Sequence, residues 1–465
     1  MRPVFRCALL LLSAIPALAV AKAAPRYTID DVVRLAQTQN PEIAMARKKI
    51  QAARGGEVEA RAGYLPSVVS DGLYRRRERA EASRLRPDDY STSLRVVENL
   101  YTGGATSNQA AIARLTRAKQ ADELQVVTDR VKMDVRLAFY ELLLNREKIY
   151  LREQSVAVLR GELKSERERL SAGTVGPLDA SRAEVALANE EPELIQAQTD
   201  LQNSYLHLSD LCGLEVRNFG DQPFEASGTL QYEPRHPDLN ASLMRSLTDR
   251  PEIRSAQKDV AIEGKQLEVD RSAARPHVQL FTGYEAYSER DPNVGPEFNH
   301  GYVVGLNATW NLFDGFATRG RMDATRARRD GAQLALKAVK LGIESEVRSA
   351  FLDLQQADSV LQAQAKNVQT ADETLAFAKS NLAAGLGTQL DILQAAADVT
   401  RTRTTRLSAI YLHNAALARL DRASGGAEAF AAEARTPRTV QPNDEKAEDQ
   451  VFKSVRPPSS LGGKK

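Results

Sequence analysis

The chain contains little of several residue types that would by themselves indicate a protein class. Its 465 residues include two cysteines, and its 63 basic residues nearly balance its 61 acidic ones. A nucleic-acid-binding protein would show a basic excess, so the charge balance argues against that class. Cys7 lies within residues 1–23, which are predicted below to be removed, so Cys212 is the one cysteine expected in the mature chain and an internal disulfide is excluded. We expect Cys212 to be a buried, apolar thiol.

A long apolar run is also missing beyond the N-terminus. Arg2 and Arg6 precede an apolar run from Ala8 to Val20, and Ala21-Lys22-Ala23 follows. This order is typical of a secretory signal peptide, here over residues 1–23. The rest of the chain has no apolar run of about 18 residues, so no transmembrane helix is expected. The protein is therefore expected to be exported, either as a soluble protein or with strands in a membrane.

What the sequence does contain is a pattern that occurs twice. The stretch AGTVGPLDASRAEVAL at 172–187 is matched 212 residues later by AGLGTQLDILQAAADV at 384–399. Asn40-Pro41-Glu42-Ile43 is matched 210 residues later by Arg250-Pro251-Glu252-Ile253. Such self-similarity indicates an internal duplication. The predicted organisation is a first repeat (24–211), a linker (212–237), a second repeat (238–423) and a disordered tail (424–465).

Each repeat contains a long helical hairpin. Apolar residues recur every seven residues through two proline-free segments, 106–171 and 317–383. A seven-residue period held over six heptads predicts left-handed coiled-coil packing. The returning helices, 178–211 and 388–422, contain Leu and Ala in a similar pattern, and Pro192 in the first of them predicts a slight kink or a helix restart. Core packing is the expected role of these apolar stripes.

Before each hairpin, the sequence predicts a helix interrupted at the duplicated proline motif, followed by two strands. The clearest strand is Tyr302–Leu312, in which apolar residues alternate with small or polar ones. Its predicted partner is Val278–Tyr287. The weaker counterparts in the first repeat are Ser67–Tyr74 and Tyr90–Tyr101.

Two interpretations of these strands remain open. They could form a soluble sheet, or they could form a transmembrane barrel, whose strands need about 9–11 residues and alternate lipid-facing with lumen-facing side chains. Strand length, the polar second face and the aromatic Tyr302 and Trp310 favour the barrel. Four strands cannot close a barrel that has a lumen, because barrel diameter grows with strand number. Several chains would then have to share one barrel.

The order of signal peptide, helix, two strands, long hairpin and linker, followed by the same elements again, resembles the TolC-like outer membrane efflux proteins (outer membrane factors). The resemblance covers about residues 27–422. Its motifs are Asn40-Pro41-Glu42-Ile43, Leu65-Pro66-Ser67, the turn Leu312-Phe313-Asp314-Gly315 and the Gly-x-x-x-x-Leu-Asp tips of both hairpins.

The resemblance implies a mixed α/β membrane protein that is a homotrimer. Twelve strands, four per chain, would form one transmembrane β-barrel in the outer membrane, and this would continue into a long α-helical coiled-coil barrel in the periplasm. The implied function is a passive exit duct of a tripartite efflux or type I secretion system. Its implied partners are a periplasmic adaptor protein, an inner-membrane transporter and outer membrane lipid.

The hairpin tips are the candidate functional site. Asp179 and Asp391 lie one turn into the returning helices, and two roles are open for them. Thr388 and Asp391 fit a capping box, and a carboxylate in a first turn is favoured by the helix dipole. In a trimer, the same carboxylates would form rings at a narrow mouth and select cations. Family members close this end with acidic residues, so Asp179 and Asp391, with Arg182 and Gln394 one turn beyond, form the candidate periplasmic gate.

Arg182 and Gln394 depart from the acidic pattern of the family, so an acidic gate would depend on Asp391. Gly173, Gly176, Gly385 and Gly387 are the predicted tip surface that contacts the adaptor. A tight turn needs glycine there.

Beyond the tips, the sequence gives no sign of chemistry. The mature histidines lack metal-ligand spacing, and no Gly-rich phosphate loop follows a strand. We therefore expect a protein that is not an enzyme and that needs no cofactor or metal. The alternative function is an extracytoplasmic structural coiled-coil protein or an adaptor-like protein. The duplicated hairpin and the four amphipathic strands count against that alternative.

Overall fold

The computed structural model describes residues 25–76, 88–216, 224–288 and 298–425. The predicted signal peptide, and the predicted tail from residue 426 onward, lie outside the described residues. Within them the element order occurs twice: a short helix, a longer helix, two strands, a helix of 67 residues and a returning helix of 36 or 35 residues. The duplicated element order predicted from the sequence is confirmed.

The described elements are as follows. The helices are α1 (Ile29–Gln39), α2 (Pro41–Ala62), α3 (Ala105–Ser171), α4 (Pro177–Cys212), α5 (Leu239–Asp249), α6 (Pro251–Ser272), α7 (Ala317–Ala383) and α8 (Gln389–Ala423). The strands are β1 (Arg26–Tyr27), β2 (Ser67–Arg76), β3 (Asp88–Tyr101), β4 (Glu225–Ala226), β5 (His277–Ser288) and β6 (Phe298–Thr309). The predicted ends of the four hairpin helices agree with these bounds to within one residue.

The helix starts follow from local chemistry. The Thr28 hydroxyl accepts a hydrogen bond from the backbone N–H of Asp31, and the Asp31 carboxylate accepts one from the Thr28 backbone N–H at 3.0 Å. This reciprocal capping box satisfies two donors that a helix start would leave unpaired. In the second repeat, the Asp238 side chain accepts from the backbone N–H groups of Asn240 and Ala241.

A proline separates the first two helices of each repeat. Pro41 opens α2 and Pro251 opens α6. Proline disfavours the helical conformation in the residue before it, so Asn40 (ψ 127°) and Arg250 (ψ 125°) leave the helical region. Pro192, in contrast, lies inside α4, and the helix continues through it, so the predicted restart was wrong.

The described chain divides into two compact units, and each unit takes segments from both predicted repeats. The hairpin unit comprises the described residues of 25–45, 134–232 and 360–411. The sheet unit comprises those of 46–133, 233–359 and 412–425. The predicted boundaries at 211, 237 and 423 follow the duplication of the sequence. That they also divide the chain into domains stays a prediction.

The heptad positions form the cores of both units. In the hairpin unit, Val135, Leu142 and Val156 of α3 are buried, and Ala378 of α7 packs with Ile392 and Ala395 of α8. In the sheet unit, one cluster joins α7 to α8 through Val347, Ala350, Leu354, Ala416, Leu417, Leu420 and Ala423. The prediction that these stripes pack the core is confirmed. None of the described helices is long and apolar enough to cross a membrane.

The sheet unit contains a four-stranded antiparallel sheet in the order β2-β3-β5-β6. Its central pair, β3 and β5, joins the two repeats. The predicted strand Tyr302–Leu312 was wrong at both ends, because β6 runs from Phe298 to Thr309. Since β5 begins at His277, which pairs with Thr309, residues after Thr309 have no partner on that strand. The Trp310 indole N–H instead donates to the Ala274 carbonyl oxygen at 3.0 Å.

The strand register defines two faces, because directly paired residues point to the same side of a sheet. The apolar face carries Val68, Leu94, Val96, Tyr284, Tyr302, Val304 and Leu306. The polar face carries Asp71, Arg75, Asp89, Arg95, Glu285 and Asn307. Most of the apolar face is exposed, whereas Asp89 and Arg95 of the polar face are half-buried.

A parallel pair of two-residue strands ties the linker to the start of the first repeat. Arg26 is paired with Glu225, and Tyr27 with Ala226. The Tyr27 ring lies 5.4 Å from the fully buried ring of Phe224. Cys212, which ends α4, is fully buried, as its sequence context predicted.

Candidate functional site: the hairpin tips

Both hairpins turn in the same way. After α3, the Gly173 N–H donates to the Leu170 carbonyl oxygen and the Thr174 N–H donates to the Arg169 carbonyl oxygen, each at 3.0 Å. This pair of bonds is a Schellman motif, which satisfies the carbonyl groups that a helix end leaves unpaired. After α7, Gly385 and Leu386 make the equivalent bonds. The duplicated sequence therefore forms two tips of one geometry.

The four predicted tip glycines fall into two pairs. Gly173 and Gly385 have φ of 75° and 74°, the left-handed conformation that a side chain disfavours. Gly176 has φ of −82° and caps α4, and Gly387 also lacks a positive φ. The prediction that a tight turn requires glycine is confirmed for Gly173 and Gly385. It was wrong for Gly176, whose conformation any residue adopts.

Asp391 caps α8. One of its carboxylate oxygens accepts hydrogen bonds from the Thr388 backbone N–H and from the Thr388 hydroxyl, each at 2.8 Å. These two donors hold the pKa of Asp391 below its usual range, so the exposed carboxylate is ionised at neutral pH. Of the two roles that the sequence left open for Asp391, capping is confirmed. A role in a cation-selective mouth stays a prediction.

Asp179 takes a different partner. Its carboxylate lies 3.8 Å from the guanidinium of Arg182, one turn further along α4. Both side chains are partly exposed. At this distance the contact is a weak surface ion pair, worth about 0–1 kcal/mol. The charge of Asp179 is thus opposed locally by Arg182, whereas α8 has the uncharged Gln394 at the corresponding place.

The starts of α4 and α8 share one groove of about 470 Å³. Its lining includes Leu178, Arg182, Val185, Leu390, Leu393 and Gln394. The structure therefore brings Arg182 and Gln394, which lie 212 residues apart, to one site. The walls of this groove are mostly apolar, which suits helix packing more than catalysis.

The sequence analysis missed the polar links between helices near the tips. The Gln389 side-chain amide donates to the Glu162 carboxylate of α3 at 3.1 Å, and Gln389 is buried. Arg160 pairs with Glu191 at 3.0 Å and Arg167 with Glu184 at 3.3 Å. The two arginines and the two glutamates are each seven residues apart, so the antiparallel heptad register could have predicted these pairs.

Among the residues that the structure describes, no group of three or more His, Cys, Asp or Glu side chains is arranged to hold a metal ion. The tips instead combine an ionised carboxylate, two left-handed glycines and exposed apolar residues such as Leu386. This set can bind a protein surface or line an ion path.

The chain is similar to known proteins along most of its length. The family described as "Outer membrane efflux protein" matches residues 32–214 and 243–426, one match in each predicted repeat. The cobalt-zinc-cadmium resistance protein CzcC of Cupriavidus metallidurans is 24% identical over 409 residues, which cover 87% of this chain and 91% of CzcC. Protein CyaE of Bordetella pertussis is 27% identical over 422 residues, which cover 88% of this chain and 87% of CyaE.

The fold also matches a solved structure. The Campylobacter jejuni CmeC outer membrane channel aligns with a TM-score of 0.74 at 14% identity, over 91% of this chain and 94% of CmeC. At this identity the match shows the fold. The predicted mixed α/β fold with an internal duplication is confirmed.

Proposed function

Because the chain belongs to the outer membrane efflux protein family, and is an outer membrane channel with periplasmic helices, we propose that three copies assemble into one exit duct. Their twelve strands would form the transmembrane barrel, four from each chain. The family consists of channels rather than enzymes. The alternative of a structural coiled-coil protein or an adaptor-like protein does not fit a chain of this family.

The observation that carries the proposal is the open four-stranded sheet. Its outermost strands, β2 and β6, each pair on one side within the described chain. An unpaired strand edge is a template for another chain. Pairing the β6 edge of one copy with the β2 edge of the next is a head-to-tail contact, which closes into a ring when the rotation fits.

The exposed apolar face supports a lipid environment. Tyr302, Val304 and Leu306 are 93%, 74% and 65% exposed on β6. A contiguous apolar patch of this kind marks an interaction surface in a folded protein. In the proposed barrel this face contacts lipid, and the polar face lines the lumen.

We further propose that the tips bind a periplasmic adaptor protein, and that the adaptor and an inner-membrane pump deliver the cargo. The left-handed turns at Gly173 and Gly385 expose backbone, and Leu386 beside one of them is 84% exposed. CzcC is named for cobalt, zinc and cadmium resistance. Divalent cations are therefore the first cargo class to test, by comparing the growth of deletion and complemented strains on these metals.

A matched pair of lysine substitutions tests the barrel. Val304→Lys puts a charge on the apolar face, where a lysine at the middle of the bilayer costs about 2–4 kcal/mol. Val303→Lys puts the same charge on the polar face, one residue away. We expect Val303→Lys to yield detergent-extracted trimers at the wild-type level, and Val304→Lys to lower that yield severalfold. Equal yields, or a monomeric wild-type protein in native mass spectrometry, would contradict the proposal.

A further inference from the structure

Two large side chains of the polar face lie opposite glycines on neighbouring strands. Arg95 of β3 is paired with Gly283 of β5, and Phe281 of β5 is paired with Gly305 of β6. A β-carbon built at Gly305 would lie 2.5 Å from the ring of Phe281. One built at Gly283 would lie 2.9 Å from the Arg95 side chain and 2.4 Å from the Leu94 carbonyl oxygen. All three distances are shorter than a β-carbon makes to a neighbouring atom.

These contacts show how the two side chains are oriented. Each occupies the space that a side chain on the opposite strand would fill, so each lies along the sheet surface rather than projecting from it. Side chains that cover cross-strand glycines in this way also pin the strand register. The consequence for the polar face is that Phe281 and Arg95 both lie close to the sheet.

The Arg95 guanidinium has two partners on β5. It forms an ion pair with the Glu285 carboxylate, and its central carbon lies 6.0 Å from the centre of the Phe281 ring. The Arg95 side chain is 41% exposed and that of Glu285 is 28% exposed. A cation at this distance from an aromatic face is within the range of a cation–π contact. Arg95 is therefore neutralised by Glu285 and held against the wall by Phe281.

The described part of the polar face has three more charged groups, which are Asp71, Arg75 and Asp89. Arg75 and Asp89 form a second ion pair, at 2.7 Å. Arg95 and Glu285 form the other pair. The face thus has three carboxylates (Asp71, Asp89 and Glu285) and two guanidiniums (Arg75 and Arg95), which gives it a small negative excess. In a threefold assembly each of these groups occurs three times around the lumen. Rings of charge at a pore wall select permeating ions by sign.

We infer that the Arg95–Glu285 pair sets the charge selectivity of the duct lumen at the level of the membrane, by keeping three arginines neutralised and flat against the wall. The inference rests on the proposed trimeric barrel with its polar face inward. Loss of Glu285 frees three positive charges in the lumen, and loss of Arg95 frees three negative ones. The two substitutions therefore shift the local potential in opposite directions.

The test uses a thiol reporter beside the pair, so that it does not depend on the state of the periplasmic tips. Val303→Cys lies in the same cross-strand row as Arg95, because Gly283 pairs with both residues. Cells expressing the full chain are treated from outside with a cationic or an anionic methanethiosulfonate. The rates are compared in three backgrounds: no further change, Glu285→Gln and Arg95→Gln. Tyr302→Cys on the apolar face is the matched control, and the chain without a new cysteine reports any reaction of the buried Cys212.

We expect Val303→Cys to react and Tyr302→Cys to stay unmodified. Glu285→Gln should raise the anionic-to-cationic rate ratio about 5-fold, and Arg95→Gln should lower it by a similar factor, since three unscreened charges act within about a Debye length of the reporter. If each substitution only disturbed the sheet, the rate ratio would shift in the same direction in both variants. That result would overturn the inference.

Native mass spectrometry of the same samples separates this inference from the proposed function. Trimers with unchanged rate ratios would overturn the role of Arg95 and Glu285 and leave the duct intact. A reactive Tyr302→Cys with an unreactive Val303→Cys would reverse the assignment of the faces and contradict both proposals. Monomers would contradict the proposed function and, with it, this inference.

Discussion

The side-chain amide of Asn40 donates a hydrogen bond of 2.8 Å to the backbone carbonyl oxygen of Leu211, at the end of α4. In the second repeat, Arg250 holds the matching place, and its guanidinium donates to the carbonyl oxygen of Ala423 at 3.1 Å. Both residues precede the proline that opens a helix. The two repeats thus tie the same pair of elements together, one through a neutral amide and the other through a buried cation.

This difference predicts that the second junction is sensitive to loss of its side chain. The Arg250 side chain is 4% exposed and pairs with Glu252 at 2.8 Å and with Glu346 at 3.0 Å. Arg250→Ala would leave both carboxylates paired with Arg422 and would remove the donor to the Ala423 carbonyl oxygen. Loss of the partner of a buried polar group costs about 1–3 kcal/mol. We expect thermal unfolding of the detergent-extracted protein, followed by circular dichroism, to shift down by several degrees. Arg54→Ala, at an exposed arginine, should leave the transition in place.

The capping box of α1 predicts a pH dependence. The Thr28 hydroxyl and backbone N–H, with the Arg34 guanidinium, lower the pKa of Asp31 from 3.8 to about 2. A lowered pKa in the folded state means that the ionised carboxylate stabilises the fold above pH 3.8, and that this contribution is lost as the pH falls through about 2. The difference in melting temperature between wild type and Asp31→Asn should therefore shrink on acidification. A constant difference would contradict this, and Asp353→Asn is the control for charge alone.

The two kinds of tip glycine predict different responses to alanine. Gly385 has φ of 74°, where a non-glycine residue costs about 1–2 kcal/mol, whereas Gly176 has φ of −82° and open space around it. Gly385→Ala should speed amide hydrogen exchange across residues 381–387 by about 5- to 30-fold. A cost of about 1–2 kcal/mol raises the equilibrium population of the locally opened tip, from which exchange occurs, by this factor. Gly176→Ala should leave exchange at its own tip unchanged. Equal effects at the two tips would show that backbone conformation does not decide tip stability.

The proposed gate makes a separate prediction for Asp391. In a trimer its ionised carboxylate would occur three times at the periplasmic end, where a carboxylate ring favours cations. Asp391→Asn keeps the size of the side chain and should weaken both cation preference and block by divalent cations in planar-bilayer recordings. Asp353→Asn, which removes an exposed carboxylate outside the first turns of α4 and α8, should leave both unchanged. Wild-type block in Asp391→Asn would show that this residue caps α8 without forming the gate.

The buried thiol predicts low reactivity. Burial raises the pKa of Cys212 to about 11, and its Sγ lies 3.9 Å from the Val32 carbonyl oxygen. Because the thiolate is the reactive form, Cys212 should react with a maleimide at least 100-fold more slowly in the folded protein than in guanidinium. Mass spectrometry after timed quenching measures both rates. Similar rates would mean that the end of α4 opens readily.

Much of the fold was accessible from the sequence because its signals are local. The heptad stripes predicted α3 and α7 to within one residue, and Thr388 with Asp391 predicted a capping box that the structure confirms. The constant offset between the halves predicted the duplicated element order. Helical periodicity and capping depend on residues within a few positions of one another, so a single sequence contains them.

The rest depended on residues that meet only after folding. The apolar alternation after Thr309 resembled a strand, yet β6 ends there because β5 offers no partner beyond His277. The contact between Arg95, Glu285 and Gly283 follows from the pairing of β3 with β5, which lie almost 190 residues apart. The sequence by itself determined the elements and their duplication, since these follow from local spacing. The tertiary structure alone decided which charges neutralise one another across the sheet, because that requires the register between distant strands.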